Sequence, residues 1–120
     1  MHVLIVGSDA ALGGVWQRHL ERSGKTVTLV TSQDEAVSHL SDHSYSILIL
    51  DMKLDGGDSA LAVADYAGFR RPDMRVVCVT RDTFFSDGSL FQHVGNACAM
   101  VRPDTPPDDV DAVVEHFAMR

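Results

Sequence analysis

Four short groups of residues in this chain carry side chains suited to handling an anion or a metal cation. Gly7, Ser8 and Asp9 follow one apolar run, and Asp51, Met52 and Lys53 follow another. Thr80, Arg81 and Asp82 follow a third, and Arg102 with Pro103 follows a fourth. A carboxylate can accept a phosphoryl group or help hold a hard cation such as Mg²⁺. Hydroxyl and guanidinium groups can bond phosphoryl oxygens, the guanidinium in bidentate fashion. The stretch VLIVGSDAALGG (3–14) allows a second chemistry. A strand that runs into a glycine turn and then a helix can set backbone N–H groups around a nucleotide phosphate.

The elements that position these residues alternate along the chain. HVLIV (2–6), TVTLV (26–30), SILIL (46–50), RVVCV (75–79) and ACAMV (97–101) read as strands. Helical spacing follows in Leu12, Val15, Trp16 and Leu20, then in Ala36, Val37 and Leu40 behind a Ser32/Glu35 capping box. A third helix covers 60–69 before Pro72, and a short one is expected around Leu90, Phe91 and Val94. Thr105 is placed to cap a last helix, with Pro106 in its first turn and Val110, Val113, Val114 and Phe117 on one face. Mostly unbroken apolar strands are covered on both faces, which implies a parallel sheet. Right-handed crossovers then give a three-layer, doubly wound α/β domain spanning 1–120, with five strands ordered 2-1-3-4-5. Its sites lie at the carboxyl ends of the strands, where all four groups fall.

Composition narrows the function. The 120 residues carry a net charge of −7. Scattered basic residues, with Arg70–Arg71 the one adjacent pair, argue against direct nucleic-acid binding. No apolar run approaches the roughly 20 residues of a membrane span, and Met1 leads almost directly into a strand, so a cytoplasmic location is expected. Cys78 and Cys98 read as small buried hydrophobes. The six histidines lack metal-site spacing and read as surface or helix-face residues.

Asp51 after one strand, Thr80 after the next, and a basic residue with proline after the last resemble the receiver domain of two-component response regulators. LILDMKLDGGD around Asp51 and VRP at 101–103 carry the resemblance, which runs through the whole chain. It implies a non-enzymatic phosphorelay module with Asp51 as phosphoacceptor and Thr80 and Arg102 as phosphoryl-binding residues. It also implies a metal site at Asp9, Asp51 and the Lys53 carbonyl, and a histidine kinase or effector as protein partner. By the same analogy a homodimer would use the region from the fourth strand to the last helix.

Three positions depart from that pattern. The two acidic positions after the first strand hold Gly7 and Ser8, so Mg²⁺ binding is expected to be weakened. The lysine is Arg102, which can also pair directly with an unphosphorylated Asp51. The aromatic switch position holds Ala99, and Phe84 and Phe85, in the loop after the fourth strand, read either as ordinary loop packing or as its substitutes. These departures support an alternative, a phosphorylation-independent module for docking or dimerisation. A remote alternative is a nucleotide-binding domain. GSDAALG (7–13) resembles the glycine loop of short-chain dehydrogenases, but Ala11 stands at the middle glycine. Tyr66 is followed four residues on by Arg70, and the second strand runs into Thr31 and Ser32 rather than an acid.

Several of these residues also have plain structural readings. Asp9 serves equally as a helix N-cap. Asp55 and Asp58 read as turn and cap residues around Gly56–Gly57.

Overall fold

Strands β1 (His2–Val6), β2 (Thr26–Val30), β3 (Ile47–Asp51), β4 (Arg75–Val79) and β5 (Ala97–Val101) form one sheet. Helices α1 (Ala10–Arg22), α2 (Gln33–Asp42), α3 (Ala60–Arg70) and α4 (Pro107–Ala118) cover it. This is a computed structural model, and its described residues are 1–81 and 94–118. The order is β2-β1-β3-β4-β5 and every neighbouring pair is parallel, as the apolar strands predict. Leu90, Phe91, Phe84 and Phe85 lie outside the described residues. Val94 is buried.

Every residue of β3 is buried, because both faces of the sheet are covered. Leu48 and Leu50 join Leu4, Val6 and Val76 against Ala36 and Leu40 of α2 and Val63 and Ala67 of α3. Ile47 and Ile49 join Val3, Ile5 and Val77 against Trp16 and Leu20 of α1 and Val110 and Val114 of α4. The period-2 alternation of the strand thus sorts one apolar run into two cores. The β4–β5 pairing shifts register between Val76 and Val77, so that Ala97 and Ala99 are the partners and Cys98 is the extra residue. The Cys98 thiol donates to Val76 O at 3.4 Å. Both cysteines are free, and burial, followed by the nearby Cys98, pushes the Cys78 thiol up to about 12.

Several local expectations need correction. Val15 is 41% exposed, so the core-facing stripe of α1 is buried Trp16 and Leu20 with partly buried Leu12. Gly13 allows α1 to approach β2: a Cβ there would meet Leu29 Cδ1 at 2.7 Å. In the capping box, Ser32 Oγ accepts from the Glu35 N–H at 3.2 Å, but Glu35 reaches back to the Thr31 N–H rather than that of Ser32. Thr105 does not cap α4. Its hydroxyl accepts from the Arg102 N–H at 3.0 Å, and Pro107 opens the helix. His39 lies on a face of α2 and His43 is exposed, as expected, and with His2 they gather around buried Tyr45. His39 Nδ1 lies 3.0 Å from Tyr45 Oη, the His2 ring centroid is 4.3 Å from that of Tyr45, and His43 is adjacent at 6.3 Å. Burial, then His43, lowers the pKa of His2.

A buried cation joins α1 to α4. Lys25 Nζ donates to Asp111 Oδ1 at 2.5 Å, Glu115 Oε1 at 2.9 Å and Ser23 Oγ at 3.0 Å. Burial alone would lower the Lys25 pKa, but the hydrogen bonds to Asp111 and Glu115 outweigh it and hold it above the usual range. Asp111 is correspondingly held below its usual range, Lys25 outweighing burial. Lys25→Met is expected to cost about 1–2 kcal/mol in urea unfolding, since Asp111 would lose its closest cation and keep only Ser23 and His19, while Glu115 stays solvated. A depressed folded carboxylate adds stability at neutral pH that is lost as the pH falls through its folded value. Stability measured below about pH 4 should therefore fall less steeply in Asp111→Asn than in the wild type.

Candidate functional site

The carboxyl ends of β1, β3 and β4 meet at an open cleft of about 410 Å³ lined by Ser8, Asp9, Asp51, Lys53, Asp55 and Arg81. Backbone bonds hold its floor together. The Met52 N–H donates to Val79 O at 2.9 Å, and the Thr80 N–H to Val101 O at 2.9 Å. These bonds continue the β3–β4 and β4–β5 pairings past the strand ends and set Asp51 beside Thr80 and Arg81.

Asp51 is 6% exposed and closes β3. Arg81 holds both of its oxygens: Nη1 donates to Oδ1 at 2.9 Å and Nη2 to Oδ2 at 3.2 Å. The Lys53 N–H adds a third bond, to Oδ1 at 3.0 Å. Two parallel N–H donors on one carboxylate make a charge-assisted fork, stronger and more directional than a single bond. The hydrogen bond to Asp51 raises the Arg81 pKa, with Asp9 and Asp55 adding smaller contributions. The cation on Asp51 is therefore Arg81, not Arg102. The Arg102 side chain is 65% exposed, with Nε 3.6 Å from Asp104 Oδ1. Both arginines follow strand ends in the sequence, and the basic–proline pair marks Arg102 while no sequence signal marks Arg81.

The other donors are engaged locally. Asp9 is the N-cap of α1: its Oδ1 accepts from the Ala11 and Leu12 N–H groups, both at 3.1 Å. Ser8 Oγ accepts from the Asp55 N–H at 2.8 Å. Asp58 Oδ2 accepts from the Gln33 N–H at 2.9 Å, and Gln33 Oε1 accepts from the Ser59 N–H at 2.8 Å, so the starts of α2 and α3 clasp each other. The Gly7 N–H donates to Val30 O at 3.1 Å. With that N–H and those of Ala11 and Leu12 already bonded, the glycine stretch does not present the donor cradle that a nucleotide phosphate needs. Nor does the turn require Gly7. Its φ is not positive, and a Cβ there would sit 3.5 Å from Asp51 Cβ, an ordinary contact.

No protein-family model and no curated protein sequence matches the chain. Solved structures do. A CheY-like response regulator receiver domain protein from Methanospirillum hungatei superposes with a TM-score of 0.88 at 19% identity, over 98% of this chain and 93% of that one. Response regulator TrrA from Thermotoga maritima, in complex with Mg²⁺-BeF, gives 0.82 at 18%, covering 97% of each chain. A Burkholderia pseudomallei response regulator with a phosphorylated aspartic acid and calcium gives 0.81 at 23%, over 98% of this chain and 68% of that one.

The chain has the receiver fold.

Within the receiver fold, three of the residues expected after the strand ends of β1, β3 and β4 come together in the cleft, Asp9, Asp51 and Lys53, while Thr80 directly follows β4 without being one of the lining residues. Arg102 stays with Asp104. Ala99 lies half-buried in β5 beside the α1–α4 core. Mg²⁺ demands near-octahedral oxygen ligands and gives up its waters reluctantly. Gly7 brings no side-chain donor, and Ser8, Asp9 and Asp51 have the bonds just described. Among the described residues, no group of three or more His, Cys, Asp or Glu is placed to hold a metal ion. With the guanidinium on Asp51, the residues present do not fit Mg²⁺.

The capping role of Asp9 can be isolated. Asp9→Ala should lower stability by about 1 kcal/mol, and Asp9→Ser, which keeps a capping oxygen, should restore most of it in urea unfolding.

Proposed function

We propose that the chain is a non-enzymatic, cytoplasmic receiver-type signalling module of atypical kind, with Asp51 as its phosphoacceptor-position residue and an impaired Mg²⁺ site. One observation carries this reading: among the described residues Asp51 is the buried carboxylate, placed at the end of the central strand, and it lines an open cleft. Burial fixes the carboxylate's direction, and the cleft lets a phosphodonor approach it. The structural neighbours with Mg²⁺-BeF and with a phosphorylated aspartic acid support the same chemistry. In this reading a histidine kinase supplies the phosphoryl group and an effector protein reads it out. Thr80 bonds the phosphoryl oxygens, and Arg102 joins it by turning away from Asp104. Asp9, Asp51 and the Lys53 carbonyl stand where the resemblance puts a metal site, impaired here because the Arg81 fork takes both Asp51 oxygens and Asp9 caps α1. No helix among the described residues is long and apolar enough to cross a membrane.

The bidentate Asp51–Arg81 pair favours a second reading. A carboxylate whose two oxygens are already met by a guanidinium presents a neutralised pocket without phosphorylation, and suits a module that signals by docking to a protein or to a second copy.

A small phosphodonor such as acetyl phosphate separates the two. Intact-mass spectrometry of the wild type should show one slowly formed phosphoryl adduct, formed at the same rate with and without Mg²⁺ and absent from Asp51→Asn. A wild type that stays unmodified at every Mg²⁺ concentration would rule out the first reading and leave the docking module.

A further inference from the structure

A divalent cation in a carboxylate pocket does two things: it offsets negative charge and it fixes the direction of the oxygens. In this chain a side chain already does both. The Arg81 fork meets each oxygen of Asp51, at 2.9 and 3.2 Å, and the cleft around it is lined by two further carboxylates, Asp9 and Asp55. The anion is buried, with 8% of its side chain exposed, whereas Arg81 is 41% exposed. The cation therefore reaches in from the solvent side, the direction from which a dissolved ion would enter.

The composition of the pocket agrees. Gly7 and Ser8 bring no charge to the end of β1, so less positive charge is needed than in a pocket with two more acids. Gly7 is not demanded by its backbone or by its space, so the absence of an acid there has no conformational cause. A guanidinium carries one charge rather than two, and it suits a pocket with this smaller acidic complement.

We propose that Arg81 takes the place of the divalent cation: it is the resident counter-ion of Asp51, and it makes the pocket independent of Mg²⁺. This rests on the reading of Asp51 as the functional carboxylate, but not on whether Asp51 is phosphorylated. Arg81 acts through Asp51 and is a positioning residue.

Thermal unfolding of the whole chain at matched ionic strength, with and without millimolar Mg²⁺, tests it. Anything that binds only the folded state raises its melting temperature. The wild-type Tm should not move with Mg²⁺. Arg81→Gln should melt lower and regain several degrees with Mg²⁺, and Asp51→Asn/Arg81→Gln should show no response. Arg81→Lys, which keeps the charge, should respond less than Arg81→Gln. A wild type that gains as much from Mg²⁺ as Arg81→Gln would overturn the proposal, and so would an Arg81→Gln that ignores Mg²⁺. Should Arg81→Gln fail to fold, amide NMR of the wild type decides: shifts at Asp51 and Lys53 on adding Mg²⁺ refute an occupied cation position, and an unmoved pocket supports it. A protein that resists phosphorylation but shows the predicted Mg²⁺ pattern would end the phosphoacceptor reading and leave Arg81's role intact.

Discussion

Asp51 is a carboxylate at the end of a strand that is buried along its whole length, and such a charge has to be met by partners. Much of the local architecture follows from that need. The turn after β3 folds so that the Lys53 N–H points back at Oδ1, and the chain leaving β4 turns Arg81 inward over both oxygens. The strand-end bonds from Met52 to Val79 and from Thr80 to Val101 hold these pieces in register. The pocket is thus a set of strand ends fixed by the sheet, with one half-exposed side chain completing its charge balance.

A second charge problem is solved away from the cleft, where buried Lys25 binds Asp111 and Glu115. The Trp16 indole N–H donates to Thr105 O at 3.3 Å on the same α1–α4 seam. The last helix is thereby fastened by polar contacts as well as by Val110 and Val114. The opposite layer has a different fastening, in which Gln33, Asp58 and Ser59 tie the starts of α2 and α3. Both layers of helices are therefore anchored near the functional end or along their seam, while the sheet between them is held by apolar packing.

The fold was legible because its signals are local and repeated. Apolar five-residue runs, Ser32 as a cap and Pro72 as a stop each point to the same architecture without knowledge of distant contacts. Most of the pocket was legible too, since residues after strand ends in a parallel sheet converge whatever their identity, but Asp55, read as a turn residue, also lines it and Arg102 does not. Which cation reaches Asp51 was not legible. Arg81 and Arg102 are both arginines one residue or two past a strand, and only the path of the chain leaving each strand decides that one turns inward and the other meets Asp104. Thr105 misled for a related reason: its hydroxyl had two candidate N–H partners within three residues, and the turn at Arg102 took it. The gathering of His2, His39 and His43 at Tyr45 joins a strand start to a helix end, a juxtaposition no spacing rule reports.

The extra residue in β5 has a consequence for how copies of this chain could meet. β5 is an outer strand, and Cys98 breaks the even pairing with β4. A bulge of this kind steepens the local twist and carries the outer rim out of the flat path that a docking strand would follow. Continuous sheets shared between molecules are disfavoured on that side. Association there falls instead to side-chain surfaces, whose contacts are set by shape and charge and are more easily made and broken than a shared ladder of backbone bonds.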